Sequence, residues 1–247
     1  MLCYTYDGSF DGLLTAIYEV YYRGEDPKKI KSIEGLEQNF LDTYVHISTD
    51  YEKSRKVYNS IEKKISRDAL ENVYCVYLAD REEDKDTYIY EYLKFGWKAG
   101  SKVDSYLSDD RVLRVHAIKR RVDREVHRMM GFTRFSLLEG NVYYAPIEPD
   151  NNILPLLAPH FSKRLPDQNW VIHDLGRRIA AVYNTREWMI ADAALLGEIP
   201  RTDAREETYR QLWKQFYSNV SIRERFNPSL HRRLLPERYW RHLTEKW

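Results

Sequence analysis

The sequence is poor in cysteine. Only Cys3 and Cys75 occur among its 247 residues, and they lie far apart without the spacing of a metal site. An iron–sulfur cluster needs more cysteine ligands than this chain has, so radical or redox chemistry of its own is not expected. Two lone thiols also indicate a reducing compartment without structural disulfides. We therefore expect a protein without a cofactor.

Long apolar runs are also missing. The N-terminus lacks an apolar segment followed by small residues at a cleavage site, and no run of about 18 apolar residues occurs. These features predict a protein of the cytoplasm with no membrane partner.

The sequence lacks an excess of charge of either sign and lacks the common catalytic motifs. Its formal net charge is +1, so an argument for nucleic-acid binding depends on where the basic residues lie. It contains no P-loop, no GxGxxG, no GxSxG and no HExxH.

Apolar residues are abundant at 43% of the chain, enough for a packed core. A strand is predicted over Leu2–Tyr6, followed by a helix that Ser9 caps and Gly24 ends. A strand is predicted over Phe40–Ser48, because this segment is rich in aromatic and β-branched residues. Residues 50–98 indicate helices with breaks near residue 67 and in the charged stretch 80–87.

The second half indicates a small sheet. Residues 132–146 form a predicted hairpin around Gly140, and residues 170–184 form another around Gly176, with a helix over Ile153–Arg164 between them. The fold class predicted is therefore α+β, largely helical, with a small antiparallel sheet from two hairpins around a helix. We expect an N-terminal α/β segment over residues 1–82 and a C-terminal α+β domain over 83–247, with one compact unit as the alternative.

A long helix over residues 111–130 carries the clearest pattern. Its apolar stripe consists of Val112, Val115, Ile118, Val122, Val126 and Met129. Five arginines share an arc on the other side, and they are Arg114, Arg120, Arg121, Arg124 and Arg128. Guanidinium groups bind phosphate oxygens and release counterions, so the arc is a candidate phosphate-binding surface. The alternative is a solvated face whose charges pair with acids elsewhere.

The tail mixes basic and aromatic residues. The cluster consists of Arg223, Arg225, Arg232, Arg233, Arg238, Tyr239, Trp240 and Arg241. Tyr239 and Trp240 are candidates for stacking on a base or for anchoring a partner, with Arg225 and Arg238 as nucleic-acid contacts. The alternative is a helix that packs these rings into the core.

Acid–base candidates are few. Glu125, His173 and Asp174 are weak catalytic candidates, provided that they converge in a pocket beside the sheet. His173 and Asp174 are neighbours on a predicted strand, so they point to opposite faces and do not act together locally. His127 and His160 lack the spacing of a zinc site, and we expect no metal.

Several linked blocks resemble one family along nearly the whole chain. They are Tyr6–Leu14 (YDGSFDGLL), Arg124–Met129 (REVHRM), Gly131–Phe135 (GFTRF), Tyr144–Pro149 (YAPIEP), His160-Phe161 with Arg164, Ile222–Pro228 (IRERFNP) and Pro236–Trp240 (PERYW). The family is a bacterial domain of unknown function labelled probable DNA metabolism proteins. Its genes typically accompany a radical SAM protein resembling spore photoproduct lyase, and a similar domain occurs fused to uracil-DNA glycosylase-like domains.

The resemblance implies DNA repair or modification beside a radical SAM iron–sulfur partner. It supplies no catalytic residues. Arg134 and Arg164 lie in matching blocks and are candidate DNA or partner contacts, with a buried structural role as the alternative. The first block is either a turn that approaches a phosphate or a simple strand–helix turn.

Three functions follow as hypotheses. The leading one is a DNA-binding accessory protein that presents damaged or modified DNA to the radical SAM partner. The second is an enzyme of lyase or glycosylase type that acts on a DNA base or nucleotide. The third is a partner-interaction module without DNA affinity.

Overall fold

The computed structural model describes residues 1–34, 36, 39–220 and 227–246. They form two compact units, Met1–Asp123 and Arg124–Trp247. The domain boundary predicted near residue 82 falls inside the first unit, between two helices, and it stays a prediction.

The first unit contains a parallel three-stranded sheet. Strand β1 (Leu2–Tyr6) lies between β2 (Lys29–Ser32) and β3 (Thr43–His46), and it runs parallel to both. Helix α1 (Phe10–Arg23) connects β1 to β2, since parallel neighbours need a crossover connection. Strand β2 was missed in the sequence because it is short and carries two lysines.

The ends of α1 follow from local sequence. The Ser9 hydroxyl accepts a hydrogen bond from the amide of Gly12 at 2.9 Å, and this bond satisfies one free donor of the first turn. Gly24 ends the helix with φ of 65°, a left-handed conformation that glycine adopts without a steric cost. Both residues were predicted in these roles.

Helices make up the rest of the first unit. They are α2 (Tyr51–Lys64), α3 (Arg67–Tyr77), α4 (Lys85–Ala99) and a 3₁₀ turn over Gly100–Ser105. Asp50 and Ser66 cap α2 and α3. Helix α5 (Asp110–Phe132) follows, and its predicted apolar stripe is buried along its whole length.

The second unit contains a five-stranded mixed sheet in the order β4-β5-β6-β7-β8. Its strands are β4 (Ser136–Leu138), β5 (Val142–Ile147), β6 (Asn169–Asp174), β7 (Ile179–Asn184) and β8 (Trp188–Asp192). Helix α6 (Leu154–Arg164) joins β5 to β6.

The α+β class is confirmed, but the antiparallel-only sheet is wrong. Both predicted hairpins are present, as β4–β5 and β6–β7. The two hairpins join through a parallel pairing of β5 with β6, because α6 returns the chain to the end of the sheet at which β5 begins. Strand β8, an additional edge strand, pairs antiparallel with β7.

Helices α7 (Ala204–Val220) and α8 (Pro228–Leu234) and a 3₁₀ turn over Glu237–His242 follow the sheet. Aromatic rings fill the interior between α6 and the sheet, where Trp170 lies 5.2 Å from Tyr183 between ring centres and 6.5 Å from Phe161. Among the residues described, no helix is long and apolar enough to cross a membrane.

Candidate functional site

A cleft of about 820 Å³ opens in the second unit. We call it the aromatic cleft. Its walls come from the end of α5, the segment after it, the start of β5, the end of α6 and one side chain of α7. The residues that line it are His127, Met130, Gly131, Thr133, Arg134, Phe135, Tyr143, His160, Phe161, Arg164, Leu165, Asp167, Gln168 and Trp213. Cations and aromatic rings therefore share one concave surface.

Glu245 organises one wall of the cleft. Its carboxylate accepts a hydrogen bond from Nη2 of Arg134 at 2.7 Å and another from the indole Nε1 of Trp213 at 2.9 Å. The Arg134 guanidinium carbon lies 5.3 Å from the centre of the Trp213 ring. Burial acts to raise the pKa of Glu245, but the bonds from Arg134 and Trp213 lower it overall. Arg134 is thus neutralised, and it positions the ring.

Arg164 differs from Arg134 in its charge environment. It is exposed at the last residue of α6. In the described part of the chain it has no ion pair and no hydrogen bond, so its charge is available to a ligand. His127 is exposed on the same cleft, and His160 packs its ring edge-to-face against Phe161 at 5.0 Å.

The arginines of α5 differ in their surroundings. In the first unit, Arg121 pairs with Glu82 at 2.6 Å and Arg114 lies over the ring of Tyr88 at 5.2 Å. Arg120 is exposed, and it has no ion pair among the residues described.

The second unit contains the last two arginines of the arc. Arg124 is exposed and lies one helical turn before His127, so it is close to the mouth of the aromatic cleft. It forms no ion pair with any residue described. Arg128 donates to the carbonyl of Arg233 at 3.3 Å.

Glu125 is buried and fully engaged. Its carboxylate accepts hydrogen bonds from the amides of Asp150 at 2.6 Å and Asn151 at 3.1 Å, and from the Asn151 side chain at 2.6 Å. The hydroxyl of Tyr239 donates a further bond at 2.7 Å. These contacts connect α5 to two distant segments, which is a structural role.

Asp174 and His173 lie on opposite faces of β6, as the alternation of a strand requires. Asp174 is fully buried and accepts hydrogen bonds from the amides of Gly176 and Arg177 and from the Arg177 guanidinium. His173 shares a 2.8 Å hydrogen bond with the Tyr144 hydroxyl, and burial lowers its pKa. Neither lines the aromatic cleft.

The residues of the tail differ in their burial and in their contacts. Tyr239 is only 4% exposed, whereas Trp240 is half-buried and donates its indole N–H to the carbonyl of Leu235 at 3.0 Å. Arg238 pairs with Asp150 at 2.8 Å. The ring of Tyr239 therefore belongs to the interior. Arg225 lies outside the described residues.

The first block forms a closed turn in the first unit. The Asp7 carboxylate accepts from the amide and hydroxyl of Ser9, at 3.0 and 2.6 Å, and from the hydroxyl of Thr49 at 2.7 Å. An acidic side chain therefore lies where a phosphate would approach α1. This arrangement favours the simple strand–helix turn.

In the described ranges, no three His, Cys, Asp or Glu side chains are placed to hold a metal ion. The model of a family described as a domain of unknown function, DUF4130, matches residues 83–245. The chain belongs to the DUF4130 family. No curated protein matches it significantly.

The matched range of this DUF4130 chain includes every residue of the aromatic cleft. The sequence blocks point to Arg134 and Arg164, whereas no sequence pattern marks Trp213, Tyr143 or Glu245. Trp213 lies in an amphipathic helix and Glu245 in a short charged turn, so neither carried a motif. Only the tertiary fold brings them to Arg134.

Proposed function

We propose that this chain is a DNA-binding accessory protein that acts in repair or modification and presents DNA to a radical SAM iron–sulfur enzyme. The resemblance of its sequence blocks supports this biological context. The geometry of the second unit supports the DNA-binding part.

The observation that carries the proposal is the aromatic cleft with the free cation Arg164 in its lining and a second, Arg124, one helical turn from His127. Arg164 and Arg124 are exposed and have no carboxylate partner among the residues described. Arginine binds phosphate in a bidentate manner, and neutralisation of phosphates supplies most of the affinity of proteins for a DNA backbone. Aromatic walls beside such cations suit exposed bases.

The geometry gives less support to an enzyme acting on a base. That hypothesis required Glu125, His173 and Asp174 to converge in a pocket. The oxygens of Glu125 and Asp174 are instead occupied by hydrogen bonds that hold main-chain turns. None of the three lines the aromatic cleft.

A second candidate function is docking of a protein partner. An apolar row recurs at helical spacing on α7 and is exposed to solvent, and it consists of Tyr209, Leu212, Phe216 and Val220. Exposed contiguous apolar surface commonly marks an interaction surface. This row provides the partner-module hypothesis with an anchor other than Tyr239.

The test is fluorescence anisotropy with labelled DNA across a salt series. We expect the double variant Arg124→Gln, Arg164→Gln to weaken binding and to lower the salt slope by about 2, since each lost phosphate contact removes about 1. The matched control is Arg186→Gln, Arg201→Gln, which changes two exposed arginines of the same unit outside the cleft.

Unchanged binding by the cleft variant would contradict the placement of the DNA surface. Absence of binding by folded wild-type protein would reject the DNA-binding function and favour docking. Co-purification with the radical SAM protein then tests the partner, and substitution of Phe216 by Lys tests whether the exposed row of α7 carries the contact.

A further inference from the structure

The aromatic cleft has the size of a small-molecule site. Its volume of about 820 Å³ falls within the range of about 300–1,000 Å³ typical of pockets that enclose one ligand. A paired duplex hides the faces of its bases inside the stack, so the rings of the cleft contact a base face only when the nucleotide is unpaired or extruded.

One aromatic ring of the cleft is held in a fixed orientation by its neighbours. Trp213 retains 39% exposure, and its indole is oriented by the hydrogen bond to Glu245 and by the adjacent Arg134 guanidinium. Glu245 in turn is fixed by Arg134, which also donates to the carbonyl of Gly131 at 2.6 Å. A ring that is oriented before binding loses little entropy when a base stacks on it.

The lining of the cleft also includes one cation that has no partner among the described residues, together with groups that can bind a base edge. Arg164 has no partner in the described part of the chain, whereas Arg134 is already neutralised by Glu245. Gln168 carries both a donor and an acceptor, and Asp167 carries acceptors. The negative charge of Asp167 disfavours a second phosphate beside Arg164.

We infer that the aromatic cleft binds one unpaired nucleotide of a DNA strand, with its base stacked on Trp213 and its phosphate on Arg164. The inference rests on the proposed DNA binding and names the part of the DNA that this unit recognises. Glu245 is a positioning residue, because it acts on the base through Trp213.

The experiment compares two duplexes of equal length and sequence with the full chain. One contains a single bulged 2-aminopurine nucleotide, and the other has it fully paired. Anisotropy of an end label gives the affinities, and 2-aminopurine emission, which falls on stacking, reports contact with a ring. We expect the bulged duplex to bind about tenfold more tightly, within the range that one base–ring stack provides, with quenched emission.

Three variants locate the effect. Trp213→Leu is expected to abolish the quenching and to bind the bulged and the paired duplex with equal affinity. Trp213→Phe is expected to retain most of both, because it keeps an aromatic face. Arg186→Gln, outside the cleft, is expected to change neither.

The outcomes separate the two proposals. Equal affinity for both duplexes with unquenched emission overturns the nucleotide site but leaves DNA binding intact. A preference that survives in Trp213→Leu overturns it as well. Failure of the folded wild-type protein to bind either duplex overturns the proposed function itself.

Discussion

Glu125 shows how one buried side chain organises a unit. Two main-chain amides, one side-chain amide and one hydroxyl all donate to its carboxylate. Burial and the bond to Glu125 raise the pKa of Tyr239, so its hydroxyl stays a donor at every physiological pH. The sequence marked Glu125 as an acid–base candidate, but its hydrogen bonds indicate a structural role.

Loss of this carboxylate is expected to be costly. In Glu125→Ala the buried donors lose their acceptor, and we expect the free energy of unfolding to fall by about 3 kcal/mol or more. Tyr239→Phe removes one of the four bonds and is expected to cost about 1–3 kcal/mol. Urea unfolding measures both. The control Tyr209→Phe alters an exposed tyrosine, and equal losses in Tyr239→Phe and this control would contradict the role assigned to Tyr239.

His173 gives the second unit a defined pH dependence. Burial lowers its pKa in the folded protein, so the unfolded chain binds more protons just below the ordinary value of about 6.5. Its contribution to stability is therefore present above that value and is lost as the pH falls through the lowered folded pKa. Unfolding free energies measured from about pH 8 to pH 5 are expected to fall less in His173→Gln than in wild type. Parallel curves would contradict this.

At the scale of elements, the junction of β1 and α1 requires a close approach that glycine alone permits. A Cβ atom on Gly12 would lie 2.2 Å from Oδ1 of Asp7 and 2.9 Å from both Oγ1 of Thr49 and Cδ2 of Tyr6. The hydrogen bonds of Asp7 to Ser9 and Thr49 hold these groups in place. The turn formed by Asp7, Gly8 and Ser9 thus packs closely against the first turn of α1.

Gly12→Ala is expected to destabilise the first unit by about 1–3 kcal/mol, because the new methyl group displaces the Asp7 carboxylate. Gly131→Ala is a matched control, since Gly131 also lies in a helix and its Cβ would meet nothing within 4 Å. There we expect a gain of up to about 1 kcal/mol from helix propensity. Thermal unfolding compares the two, and a neutral Gly12→Ala would contradict the close packing.

At the scale of the whole molecule, the features that depend on residues close together in the sequence were predictable. The Ser9 cap, the Gly24 terminus, the buried stripe of α5 and the turns at Gly140 and Gly176 each depend on nearby residues. The parallel pairing of β5 with β6 was not predictable, because it depends on the packing of α6 rather than on the sequences of the two strands. The aromatic cleft was only half predictable, since Arg134 and Glu245 are 111 residues apart in the chain.

The bond between Glu245 and Trp213 connects the cleft to the segment over residues 237–246. Release of this segment would leave the indole and the Arg134 guanidinium without their shared acceptor. Release of the segment and binding of a ligand in the cleft are therefore linked equilibria. A ligand that needs the oriented ring favours the attached segment, and attachment of the segment raises the affinity for the ligand by the same factor. Occupancy of the cleft and protection of the segment against amide exchange should then rise together, so each reports the other.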